Sequence, residues 1–145
     1  MNTQSIRAWI RTSLALQFVG YVIDVIWHGL LQPGVEPTTA GEMARHLGTV
    51  HLPLYIGAVS VLVSTARAFL RRHGPTVSIA FAGAVLSAGA EAWHASSHLR
   101  LDTHSAPVAG ILSVIGFLVA VVAMSLSGWA RRRRARDRTS DRRAA

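Results

Sequence analysis

Cysteine is absent from this chain, and so is lysine. Without thiols there is no disulfide, no thiolate-bound metal, no iron–sulfur cluster and no quinone-linked thiol chemistry. Without lysine there is no Schiff base, which excludes a retinal protein. Charge is scarce as well: 15% of the 145 residues are charged, whereas half are hydrophobic. That length suits one domain.

The scarce charge leaves four long apolar stretches, at about 13–31, 51–70, 77–98 and 108–129. Each approaches the ~20 residues that cross a ~30 Å hydrocarbon layer as a helix. A water-soluble bundle would need a polar outer face on every helix. The last stretch, VAGILSVIGFLVAVVAMSLSGW, has none. The expected fold is therefore all-α and membrane-embedded: a four-helix up-down-up-down bundle spanning 1–130. A basic tail at 131–145 is expected to be disordered. The N-terminus resembles a signal peptide superficially, but no small-x-small cleavage site follows its apolar run. Asp24 and His28 also interrupt that run, so the segment is expected to stay as the first span.

All 15 basic residues are arginine, and 13 fall on one side of this topology. Arg7 and Arg11 precede the first span, Arg67, Arg71 and Arg72 lie at the turn after the second, and eight follow the last. The positive-inside rule places both termini in the cytoplasm. The tail RRRRARDRTSDRR reads as a topology anchor that touches anionic lipid rather than nucleic acid. Arginine in place of lysine, with abundant alanine, suggests a GC-rich bacterial genome and hence a bacterial inner membrane.

In the outer loop, Gln32-Pro33-Gly34 stops the first span. Thr39-Ala40-Gly41-Glu42 is a capping-box pattern, so a short surface helix is expected at about 40–47, with Gly48 ending it. In the third span Ala80, Ala84 and Ala88 recur every four residues beside Gly83 and Ser87. Such small residues let helix backbones approach closely in lipid. Glu91, His94 and His98 continue that stripe and so point into the bundle.

The same occurs in the first span. Asp24 and His28 share a face with Ser13, Gln17, Gly20 and Tyr21. His51 opens the second span, with Tyr55 one turn on. Asp24-Val-Ile-Trp27-His28 faintly echoes Glu91-Ala-Trp93-His94, and the tryptophans suit an interfacial position. The fourth span has no ionisable side chain and reads as a packing wall. Six of the seven histidines fall toward the outer face, His73 being the exception.

Ionisable groups inside a bilayer cost about 2.5 kcal/mol or more each, so they are generally paired and functional. A metal ion removes that cost by binding imidazoles and carboxylates directly. Glu91-x-x-His94 is the helical motif of dimetal carboxylate bundles. His94 and His98 also share a face, as zinc, copper and iron sites require. The candidate ligands are Asp24, His28, His51, Glu91, His94 and His98. His46 and His104 are read as surface residues of the outer loops.

The expected function is a membrane metalloenzyme with a mono- or dinuclear centre on the extracytoplasmic side, iron or copper ahead of zinc. It would oxidise a small or lipophilic substrate, with Tyr21 and Tyr55 relaying an electron or proton and a partner protein donating electrons. The alternatives are a haem electron-transfer protein, a zinc hydrolase with Asp24 or Glu91 as base, and a metal carrier or chaperone. No ligand set continues toward the inner side, which weighs against transport.

Overall fold

The computed structural model describes residues 3–34, 37–71, 74–102 and 105–144, with their side chains up to residue 128 apart from those of 3 and 106. His73, His104 and the side chains of the arginine tail lie outside the described residues. Among the described residues every regular element is helical: α1 (Thr3–Ile26), a π turn (Trp27–Leu31) that carries it on, α2 (Ala40–Thr49), α3 (Leu52–Leu70), α4 (Pro75–Leu99) and α5 (Ala106–Ala144). Proline in the first turn opens α3 and α4, where a missing N–H costs nothing.

Two boundaries of the long helices differ most from the sequence expectation. The first helix begins at Thr3, ten residues before the expected start at 13. Ile6, Ile10 and Leu14, spaced four apart, are buried and extend its packed face. The last helix does not stop at the arginines. It runs to Ala144, through a tail rich in alanine and arginine, both good helix formers, where disorder was expected.

Among the described residues four helices are long and apolar enough to cross a membrane, with spans Gln4–Leu31, Leu52–Leu70, Pro75–Leu99 and Pro107–Gly128. Their outward residues are apolar. Val25, Leu30, Ile111 and Leu126 are each more than half exposed, at 67, 76, 62 and 56%. In water such a surface would drive association.

The helices pack in two close pairs, α1 on α3 and α4 on α5, joined through α3 and α4. Glycines set the closeness of each pair. A Cβ on Gly20 would sit 2.4 Å from Leu54 Cα, and one on Gly57 would sit 2.4 Å from Gln17 Cα. Across the other seam, a Cβ on Gly116 would sit 2.5 Å from the Ser87 nitrogen. Side chains are thereby replaced by backbone contact, the device that apolar solvents favour. By contrast α1 and α5 barely meet.

The interior changes character along its length. At the end holding Ile6, Ala68, Val77 and Met124 it is apolar. Midway, hydroxyls and an amide bond to one another across helices. Gln17 Nε2 donates to Ser87 Oγ at 2.7 Å and to Tyr21 Oη at 3.2 Å. Tyr21 Oη meets Ser113 Oγ at 2.6 Å. Beyond this layer lie the carboxylates and imidazoles.

Helix α2 closes that end. Its capping box is present as expected: Thr39 Oγ1 accepts from the Glu42 N–H at 3.2 Å, and Glu42 Oε2 accepts from the Thr39 N–H at 3.3 Å. Met43 and Leu47 bury its inner face. The helix runs through Gly48 to Thr49, two residues further than expected, because Val50 is buried and pulls the chain inward.

Gly20→Ala and Gly57→Ala should each lower thermal stability by about 1–3 kcal/mol through overpacking. Gly89→Ala, where a Cβ meets nothing within 4 Å, should leave it unchanged or raised. Thermal unfolding in detergent compares the three. The backbone N–H of Thr38, with those of Thr39, holds the Glu42 carboxyl below its ordinary range. Its support of α2 is therefore complete above that range and lost as pH falls through the lowered value. Amide protection factors at Met43 and Leu47 should fall on that acid limb in the wild type and be low at all pH in Thr39→Ala.

Candidate metal centre

Three chain segments deliver imidazoles to one point. The first is the end of α1, where the hydrogen-bond ladder widens into the π turn and the Gln32 N–H reaches Trp27 O at 2.8 Å. Such turns interrupt helices at functional positions and re-aim side chains. Here His28 stays one turn above Asp24, with Nε2 3.6 Å from Oδ1. The second is α2, whose cap and buried inner face bring His46 over the bundle. The third is the first residue before α3, His51, which is 1% exposed.

The three Nε2 atoms converge. His46 Nε2 lies 3.2 Å from His28 Nε2 and 3.2 Å from His51 Nε2. One ring nitrogen from each of the three falls within 4.8 Å of the others, so His28, His46 and His51 can hold a metal ion. Two nitrogens bound at about 2.0–2.1 Å and a tetrahedral angle stand about 3.3 Å apart. The observed spacing matches that geometry.

Asp24 takes a supporting place. Its Oδ1 lies 3.2 Å from His51 Nδ1, the nitrogen that faces away from the cluster. A carboxylate behind a ligating histidine fixes the ring and raises its basicity. In the structure the two atoms are close but not aligned for a hydrogen bond, and both are buried without one.

His94 and His98 form a second pair on α4, their Nε2 atoms 3.0 Å apart. Their rings lie 5.6 and 5.9 Å from that of His51. Glu91 is one turn below, 4% exposed, and its Oε2 has no hydrogen-bond partner. Tyr55 stacks on His51 with centroids 5.9 Å apart, and its hydroxyl is likewise buried and unpartnered. Tyr21 belongs to the hydroxyl layer beneath.

The six residues singled out as ligands by sequence thus gather at one end of the bundle with Tyr55, and Tyr21 lies in the hydroxyl layer beneath them. Of the six, His28 and His51 enter the three-histidine cluster. The third member, His46, was read from the sequence as a surface residue. Two signals pointed to it: a capping box that fixes the helix, and a spacing of five residues from His51. Ser113 was also missed, because α5 looked like a plain packing wall.

The chain matches no protein-family model, no curated protein and no solved structure.

His46→Ala should remove high-affinity metal binding, because two nitrogens remain where three converged. Asp24→Asn should keep the stoichiometry while weakening affinity about 10–100-fold, the effect of removing a carboxylate behind a ligand. Calorimetric titration of metal into the purified chain separates the two. Full-strength binding in His46→Ala would break the cluster as described.

Proposed function

We propose that this chain is a four-span membrane metalloprotein that binds one transition-metal ion between His28, His46 and His51 and acts on a lipophilic substrate. The observation that carries the reading is the convergence of three Nε2 atoms from three segments. The apolar outer surface and the arginine asymmetry support membrane insertion with an up-down course. Both termini then lie on the cytoplasmic side and the cluster on the other.

Three protein ligands leave a fourth position open, the pattern of catalytic rather than structural sites. An all-imidazole set suits copper or zinc. Iron of the two-histidine-one-carboxylate kind is less well served, because Asp24 faces the far nitrogen of His51. Nitrogens that meet at 3.2 Å favour a bare ion over a haem between facing histidines. Bound copper would supply oxidation chemistry at the open position, and bound zinc an activated water.

The residues of the chain do the remainder. His28, His46 and His51 orient the open position, and α2 shields it from above. Glu91, His94 and His98 stand beside it as proton acceptors or donors. Oxidation would draw electrons from a partner protein. Hydrolysis is the second reading, favoured by the buried, unpartnered Glu91 oxygen, which could serve as base to a water.

Elemental analysis of the full chain purified in detergent tests this. One copper or zinc per chain, lost in His46→Ala, is expected. Two per chain would assign the second to His94 and His98. No copper or zinc, even after reconstitution, would overturn the metal reading.

A further inference from the structure

Because α1 and α5 barely touch, a cleft runs between them. It encloses about 590 Å³ beside Tyr21, Asp24, Glu91 and His94. Its outer lip is apolar and open: Phe18, Ile111 and Leu118 are 57, 62 and 51% exposed. A second cavity of about 750 Å³ shares Phe18, Phe117 and Leu118 with it and continues the seam to Arg11 and Gly128. Thirteen residues separate Arg11 from Asp24, about 20 Å of helix at 1.5 Å per residue. The seam is therefore long and mostly apolar, with Glu91 and Asp24 at one end and Arg11 at the other.

That acidic end is built, yet unsatisfied. Glu91 is more than nine-tenths buried, lines the cleft, and its Oε2 has no partner. Asp24, on the same wall, is committed elsewhere: its Oδ1 faces His51 Nδ1 at 3.2 Å and His28 Nε2 at 3.6 Å. A buried acceptor left unpaired costs about 1–3 kcal/mol, more if charged. A ligand that donates a hydrogen bond there recovers this cost, and a carboxylate head would be repelled. We infer that the α1–α5 cleft binds a single-chain lipid alcohol, with its hydroxyl donating to Glu91 and its chain lying along the seam. This deepens, and rests on, the reading of the chain as a metalloprotein acting on a lipophilic substrate. The ligand enters sideways from the bilayer, beside His94, without crossing α2.

Gly110 supplies the means of testing this. It lines the cleft, and the nearest atom to a Cβ added there is His94 Nδ1, at 4.0 Å. A larger side chain would fill the cleft and touch none of His28, His46 and His51. Tritiated hexadecan-1-ol should bind the purified full chain saturably, about one per chain. Gly110→Leu should weaken it by about tenfold or more, with metal content unchanged. Hexadecanoate should bind about tenfold more weakly than the alcohol. If Gly110→Leu fails to fold, Ile111→Trp on the exposed lip repeats the test. Equal binding of the two lipids, or alcohol binding that survives the blocking variant, overturns the proposal. So does a wild-type dimer that the blocking variant splits with alcohol binding intact, since a second copy would then fill the seam. A wild type that takes up no metal even after reconstitution, yet binds the alcohol, would retain the cleft and refute the metal centre.

Discussion

The contact on which this protein turns is the meeting of His46 with His28 and His51, nitrogen to nitrogen. A neutral imidazole has one N–H and one lone pair. If His51 carries its proton on Nδ1, to meet Asp24, then its Nε2 presents a lone pair, and His46 must donate to it. That leaves no proton on His46 for His28. If His46 instead presents its lone pair to both neighbours, His51 must carry its proton on Nε2, and its bare Nδ1 then faces the Asp24 oxygen. No neutral arrangement satisfies every pair. A cation does, because all three lone pairs can point at it while His51 keeps its proton on Nδ1, facing the Asp24 carboxylate.

The rest of the fold holds that arrangement in place. Gly20 and Gly57 bring α1 against α3, so that Asp24 and His51 come within 3.2 Å. The π turn lifts His28 without ending the helix. The capping box of Thr39 and Glu42 stabilises a helix too short to persist alone, and Met43 and Leu47 press it onto the bundle. Gly83 and Gly116 bring α4 against α5 and complete the hydroxyl layer beneath. The one seam left open, between α1 and α5, leads to the same carboxylates.

Much of this was legible in the sequence, for physical reasons. Four apolar stretches long enough to span a membrane announce themselves by length and composition. The pairs Asp24–His28, Glu91–His94 and His94–His98 were readable because a helix places residues three and four apart on one face. The capping box at Thr39 was readable because its chemistry is local. What escaped was non-local. That α2 folds down over His51 depends on packing between segments, so His46 looked like a loop histidine. Ser113 lay in a run of apolar residues, and its bond to Tyr21 appears only when α1 and α5 are placed in space. The extension of α1 back to Thr3 depended on Ile6 and Ile10 finding a core that the span lengths did not reveal.

X-ray absorption spectroscopy on the metal-loaded full chain tests the central claim most directly. The account predicts three nitrogen scatterers at about 2.0–2.1 Å with the outer-shell pattern of imidazole rings. A shell dominated by oxygen, or a metal with fewer than three imidazoles around it, would contradict it.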